Sequence, residues 1–324
     1  MTAPLKLGIV GSNFVASWLC EAARALEGVT LYAIYSRSEE KGRAFAEREG
    51  VLSVYTDFDA FLASGIEAVY LASPTYCHFD MAKKALESGL HVLVEKPMVT
   101  HSRQFEVLCA LAEEKGLVLL EAMRPAHDEA FTVVKEALSS LGKIRRVSFE
   151  FCQYSSRYDA FLRGEVLNAF TPEIAGAALL DIGIYPLFWA VALFGEPTTV
   201  TASSSFLENG FEGGGTVLLG YGSFQVSVTY SKVCSSVTPS AIVGEKGALT
   251  VDKVTSPEKI TLILRGEEAT LLPHPSYTNN LVCELKTFLS LIGRGGDNPY
   301  LDVSRRLYQT VERIYKAANI HIFE

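Results

Sequence analysis

Two stretches of this 324-residue chain carry side chains able to manage a proton. The first is Leu93-Val94-Glu95-Lys96-Pro97. The apolar run Val92-Leu93-Val94 after His91 predicts a buried strand, which the charged pair and the proline then end. Pro97 disfavours helical geometry at the residue before it, so Lys96 is delivered to the end of that strand on an extended backbone. The second stretch is Asp181-Ile182-Gly183-Ile184-Tyr185, a carboxylate and a phenol four residues apart, about one helical turn. A tyrosine phenol ionises near ~10, and an adjacent ammonium brings it down towards the range where acid–base catalysis works. Each residue also has a plain structural reading. Lys96 can be a strand-end cation paired with an acid, and Asp181 a helix cap. Tyr185 can be a core aromatic beside Leu187, Phe188 and Trp189. Gly183 and Pro186 are poor interior helix residues, so the segment is expected to kink or to start its regular helix near Pro186.

The elements that position these residues fall into two halves. Lys6–Val10, Val29–Tyr35, Ala68–Ala72, His91–Val94 and Leu117–Leu120 read as short apolar strands. Helical patterns follow them at Phe14–Leu26, Glu39–Gly50, a short turn to Leu62 capped by Thr56-Asp57, Tyr76–Ser88 and Ser102–Lys115. Strands alternating with helices mean βαβ units and a doubly wound parallel sheet, here residues 1–123. The carboxyl ends of such strands are where ligands bind, which places Lys96 on the functional edge. Beyond residue 123 the pattern changes. A helix at Ala130–Leu141 precedes an alternating strand at Ile144–Tyr154, and 155–174 is irregular. Strands follow at 198–207, 214–221, 224–231, 239–251, 259–265 and 269–273, then helices at Asn279–Ile292 and Val303–Ala318. Successive strands with short turns predict an open, mostly antiparallel sheet, so residues 124–324 form an α+β domain. Its last helix is a candidate to pack back on the first domain.

Bulk composition narrows the function classes. Hydrophobic residues make up 48% and charged residues 20%, with a net charge of -8 and no basic stripe. That argues against a nucleic-acid partner. No apolar run reads as long enough to span a bilayer, and the chain opens directly into its first strand pattern without a signal peptide. The six cysteines form no CxxC pair and no Cys/His cluster with zinc spacing, so no metal site is expected. Free thiols point to a cytoplasmic protein.

The first strand leads into Gly11-Ser12-Asn13-Phe14-Val15-Ala16 and then a helix. A glycine turn at a helix N-terminus holds a pyrophosphate on free N–H groups. The dinucleotide fingerprint wants G-x-G-x-x-G/A; Asn13 replaces the middle glycine, and asparagine tolerates the left-handed conformation better than most residues. NAD sites place an acid at the end of the second strand, whereas an arginine suits the 2′-phosphate of NADP. This chain has Tyr35-Ser36-Arg37-Ser38 there, so NADP is expected, with NAD possible. His78, after the Pro-Thr turn that ends the third strong strand, is expected to border the cofactor. Glu95 is expected to steady its loop or meet the nicotinamide ribose. Arg124, His127, Arg157 and Tyr158 are further pocket candidates.

Taken together, the modified fingerprint at Gly11, the Ala72-Ser73-Pro74-Thr75-Tyr76-Cys77-His78 loop, Glu95-Lys96-Pro97 and Ala175–Tyr185 resemble the Gfo/Idh/MocA oxidoreductases. The match covers almost the whole chain. Tyr185, where many members carry histidine, is similar to the branch of glucose-fructose oxidoreductase and dimeric dihydrodiol dehydrogenase, both of which use NADP. The resemblance implies a Rossmann domain followed by an α/β domain whose open sheet forms the face of a homodimer or homotetramer. It implies hydride transfer between nicotinamide and a carbon bearing a hydroxyl on a sugar, polyol or diol. It also implies a catalytic set of Lys96, Asp181 and Tyr185. Gly11, Ser12, Asn13, Phe14, Val15, Ser36, Arg37, Ser73, Pro74, His78, Glu95 and Lys96 would line the cofactor. Asn168-Ala169-Phe170 stands near where the family often has an aromatic–arginine pair, which bears on the substrate. The rival expectations are a non-catalytic dinucleotide sensor on the same fold and a structural partner that binds no cofactor.

Overall fold

A computed structural model describes residues 3–165, 167–295 and 298–322. In chain order the elements are β1 (Leu5–Val10), α1 (Phe14–Arg24), β2 (Val29–Tyr35), α2 (Glu39–Glu49), β3 (Ser53–Tyr55), α3 (Phe58–Leu62), β4 (Ala68–Leu71), α4 (His78–Glu87), β5 (His91–Glu95), α5 (Ser102–Lys115) and β6 (Leu119–Ala122). Then come α6 (Arg124–His127), α7 (Glu129–Ala137), β7 (Ile144–Cys152), α8 (Tyr158–Leu162), α9 (Pro172–Ala175) and α10 (Ile184–Phe194). The strands β8 (Thr199–Phe206), β9 (Glu212–Gly220), β10 (Gln225–Ser231), β11 (Ser240–Gly244), β12 (Gly247–Val251), β13 (Ile260–Leu264) and β14 (Thr270–Leu271) follow, and α11 (Leu281–Arg294) and α12 (Tyr300–Ala318) close the chain.

The chain divides into two compact units. The first holds residues up to Val99, Arg103–Arg124 and Tyr277–Leu301. Its six strands are all parallel, in the order β3-β2-β1-β4-β5-β6, the doubly wound arrangement expected. Leu7, Ile9, Ile34, Tyr70 and Leu93 from the strands are buried against Leu19, Cys20 and Ala23 of α1. The helix that joins this unit from late in the chain is α11, whose Leu281, Leu285 and Phe288 enter the same core; most of α12 groups with the second unit. The reason is in the pattern of α11: its leucines and Phe288 recur at helical spacing and make one apolar stripe.

The second unit is built on an eight-stranded sheet, β14-β13-β12-β11-β7-β10-β9-β8. Every pair is antiparallel except the central β7–β10 pair, which is parallel. The stretch 239–251, expected as one strand, is a hairpin. It breaks at Glu245-Lys246, where two residues suffice to reverse an antiparallel ladder. One face of the sheet is covered by α10, whose Trp189 is fully buried and donates its indole N–H to the Val254 carbonyl at 2.7 Å. The segment Pro172–Phe194 is apolar and long enough by composition to cross a bilayer, against the sequence expectation, but 78% of its 18-residue apolar window is buried inside the protein.

Candidate active site

At the carboxyl end of β1 the chain turns through Gly11, whose φ is +99°. A Cβ there would sit 2.6 Å from the Ala72 carbonyl oxygen, so only glycine lets the two loops approach. Asn13 does not use the left-handed conformation that its residue type tolerates. Its φ of -84° and ψ of 177° are extended, because it is the N-cap of α1. Its Oδ1 accepts from the Ala16 N–H at 2.9 Å, and its Nδ2 donates to the Ala72 carbonyl at 2.9 Å. Asparagine is among the best N-caps, so a capping demand explains the missing glycine. Asn13 and Phe14 are exposed, Ser12 and Val15 half-buried. The remaining first-turn N–H groups cannot be satisfied within the helix and face the turn. Opposite, the Ser73 hydroxyl is buried with no partner among the described residues, and Pro74 beside it is exposed. A tight glycine cradle, a helix N-terminus and an unspent hydroxyl fit an anionic dinucleotide.

At the end of β2, Arg37 is exposed. The two hydroxyls beside it are already committed. Ser36 is buried and donates to the Ser38 carbonyl at 2.9 Å, and Ser38 caps α2 by accepting from the Lys41 N–H. That leaves the exposed guanidinium of Arg37 as the cationic group at this strand end, with the shape of its loop set by the serines. Glu39 and Glu40 follow in the first turn of α2, and Glu39 is neutralised by Arg43 at 2.6 Å.

Lys96 ends β5 half-buried, in a cis Lys96–Pro97 linkage. The turn around it is fastened from two sides. His78 is 2% exposed, and its Nδ1 and Nε2 lie 2.8 Å from the Pro97 and Ser73 carbonyls. Carbonyls only accept, so the neutral ring donates to one of them, and the two close contacts seat His78 between the Ser73 loop and the Lys96 turn. Burial lowers its pKa, with Lys96 adding, while the two carbonyls oppose the shift. From the other side buried Glu121 accepts the Met98 N–H at 3.0 Å. Glu95 accepts a hydrogen bond from the Tyr70 hydroxyl. Burial pushes the Glu95 carboxyl up, against the pull of Tyr70, Lys96 and Arg124. Glu284 of α11 is fully buried, and neither of its carboxyl oxygens has a hydrogen-bond partner among the described residues. Burial and the Glu95 charge hold it well above the usual carboxylate range, with Arg124 opposing.

In the second unit Leu179–Gly183 forms a π-helical turn that passes directly into α10 at Ile184. The expected kink is therefore a change of winding two residues before Pro186. Its cause is visible at Gly183, where a Cβ would meet the Tyr230 ring at 2.8 Å. The turn is held at its start by buried Glu212, which accepts the Leu179 N–H at 3.0 Å. Tyr185 is 5% exposed, edge-on to Phe151 of β7 with centroids 5.8 Å apart. Asp181 reaches Lys232, one residue past β10, with Nζ 2.9 Å from Oδ2. Lys232 is buried; its Nζ also donates to the Ala169 carbonyl at 2.8 Å and lies 4.9 and 5.1 Å from the ring centres of Phe170 and Phe211.

The expected residues thus group by unit. Gly11 through Val15, Ser73, His78, Glu95 and Lys96 gather at the carboxyl edge of the parallel sheet in the first, with Arg37 at the end of β2. Asp181 and Tyr185 share one turn in the second. Arg157 is exposed, and Tyr158 joins an aromatic cluster with Tyr154, Phe161 and Phe170. Sequence reasoning missed Lys232, Glu121, Glu212 and Glu284. Lys232 carried part of the mark of Lys96, a lysine directly after a strand, here the alternating Gln225–Ser231. The six cysteines are free thiols, and burial drives Cys20 up to about 12.

Comparison with known proteins agrees with this geometry. Residues 5–123 match the model of an oxidoreductase family with an NAD-binding Rossmann fold, and residues 131–250 match the GFO/IDH/MocA C-terminal domain. The uncharacterized oxidoreductase YgjR of Escherichia coli (strain K12) is 37% identical over 93% of this chain and 92% of its own. The scyllo-inositol 2-dehydrogenase (NADP(+)) IolU of Bacillus subtilis (strain 168) is 36% identical over 89% of this chain and 88% of its own. The 3-ketoreductase KijD10 from Actinomadura kijaniata, crystallised with NADP and TDP-benzene, shares the fold, with a TM-score of 0.88 over 99% of this chain and 100% of that one at 24% identity. Together with the glycine cradle, the Lys96 turn and the Asp181–Tyr185 segment, these matches establish that the chain belongs to the Gfo/Idh/MocA family of oxidoreductases.

Proposed function

We propose that this protein is an NADP-preferring dehydrogenase or reductase that acts on a carbinol carbon of a cyclic polyol, sugar or diol. When bound, the nicotinamide supplies or accepts the hydride. The chain's own residues manage the accompanying proton. Tyr185 exchanges the hydroxyl proton of the substrate, Lys96 supplies the positive charge that makes a phenol a usable base near neutral pH, and Asp181 orients the hydroxyl. The observation that carries the reading is the Lys96 turn. His78 and Glu121, both buried, are spent on holding backbone around one half-buried lysine. Arg37, with no acid at the end of β2, supports NADP over NAD. IolU's name points to inositols as the first substrates to try.

The test has two arms. Fluorescence titration with NADPH and NADH should show tighter binding of NADPH, and Arg37→Ala should remove most of the difference. Screening scyllo-inositol, aldoses and trans-1,2-dihydrobenzene-1,2-diol for reduction of NADP should find turnover in at least one class. Binding without turnover in any of them, in both directions, would contradict the enzymatic reading. The same proposal places the protein in the cytoplasm, consistent with six cysteines that form no disulfide among the described residues, and assembles it as a homodimer or homotetramer through the second unit's sheet. The face opposite α10 supports this with Leu218 and Ile263, 40% and 41% exposed. Light scattering on purified protein checks it.

A further inference from the structure

We infer that Lys232 is a positioning residue that holds the Asp181 carboxylate ionised and in one orientation for the proton chemistry proposed above; the inference rests on that reading. The two partners are unequally placed. The Lys232 side chain is 7% exposed, whereas that of Asp181 is 43% exposed. A half-exposed carboxylate needs no buried cation for its own solvation, and burying an ammonium carries a desolvation cost that a mere surface pair would not justify. The fold nonetheless builds a cage for it. The backbone of Lys232 is pinned by its N–H on Gly213 and by its carbonyl under the Ser155 N–H, both at 2.9 Å. Its ammonium has three donors. One goes to the Ala169 carbonyl, one to Asp181 Oδ2, and the rings of Phe170 and Phe211 take the rest of its positive surface. Of the Asn168-Ala169-Phe170 stretch, the cage uses the Ala169 backbone carbonyl and the Phe170 ring. Asp181 itself rides on the π-turn, fixed at its start by Glu212 and at its end by the Gly183–Tyr230 contact. Carboxylate and ammonium are therefore both held by backbone that cannot readily shift.

The consequence is a division of labour. With one oxygen held by a caged ammonium, Asp181 stays a carboxylate at working pH and serves as charge and acceptor, while the proton passes at Tyr185. The other titratable and charged groups on elements packed against the π-turn are Glu212 on β9, Tyr230 on β10, Tyr185 on α10, and Arg145, Arg146, Glu150 and Cys152 on β7, where Arg145 is paired with Glu245. Glu150 and Cys152 alternate with inward Phe149 and Phe151, so they face the other side of the sheet. Burial raises the pKa of Glu212, Tyr230 and Cys152. Lys232 lies 2.9 Å from Asp181 and is the cation to test.

The experiment follows the Asp181 carboxyl by ¹³C NMR, assigned with Asp181→Asn, in the wild type and in Lys232→Met. Loss of the cation should raise its titration by about one unit or more. The acid limb of kcat/KM, measured on the best substrate of the panel above, should move up in pH by the same amount, and Lys232→Arg should restore part of it. A pair that serves only the fold would lower the melting temperature and leave the limb in place. Should Lys232→Met not fold, Asp181→Asn opens the pair from its exposed side, and the protected ammonium signal of Lys232 should then exchange faster. An unmoved carboxyl titration, or an unmoved limb while Tyr185→Phe is inactive, overturns the inference and leaves the reaction reading standing. Full activity of Tyr185→Phe overturns both.

Discussion

At the scale of single residues, the candidate site is defined by groups that have no room to be anything else. Gly11 and Gly183 are the clearest. A methyl group at Gly11 would need both a left-handed backbone and space already taken by the Ala72 carbonyl. Gly11→Ala is therefore expected to weaken NADPH binding at least about tenfold, the effect of roughly 1.4 kcal/mol of strain at one forced φ. Gly183 has an ordinary helical φ, and its constraint is steric, from the Tyr230 ring. Gly183→Ala should cost about 1–3 kcal/mol by overpacking, read as a lower melting temperature. Lys96 and Tyr185 could be recognised from sequence because proline punctuation and local spacing mark them. Lys232 could not be assigned a partner, since its contact with Asp181 joins residues far apart in the chain. Glu284 was hidden for the same reason. It sits in an amphipathic helix as an ordinary polar residue, and only the fold reveals that no water reaches it.

At the scale of elements, most of the fold was legible and the exceptions have physical causes. The five long strands of the parallel sheet and their helices announced themselves by apolar runs and glycine stops. The three-residue β3 did not, since Ser53-Val54-Tyr55 is too short to show a period. The parallel β7–β10 pair at the centre of the second sheet is a long-range pairing that local pattern cannot report. The π-turn is a third case: Gly183 and Pro186 suggested a kink or a late helix start, and the structure resolves this as a change of winding at Gly183. Asn13 belongs here too, because its side chain serves α1 as a whole. Asn13→Ala should cost about 1 kcal/mol of stability, whereas Asn13→Gly should cost only a few tenths. The glycine variant should bind NADPH at least as tightly, by titration, since it widens the approach to the helix N-terminus. Weaker binding in Asn13→Gly would mean that asparagine also serves the cofactor directly.

At the scale of the molecule, each of the two units carries part of the candidate catalytic set and buries an ionisable group of its own. In the first, Glu284 has its pKa raised by burial, so its stabilising form is the protonated one. Its contribution is full below the unfolded carboxyl pKa and is lost as pH rises through the raised folded value. Glu284→Gln keeps the neutral shape and removes the titration. The variant should melt above the wild type, with the gap widening from pH 5 to pH 8; a gap that narrows over that range would contradict the assignment. The account as a whole depends on Lys96. Lys96→Met should retain NADPH binding by fluorescence titration, because the glycine cradle and Arg37 are untouched, while turnover of the best substrate falls by about 10²-fold or more, the usual scale of a lost acid–base contribution. Unchanged turnover in a Lys96→Met protein that still binds NADPH would contradict the central claim.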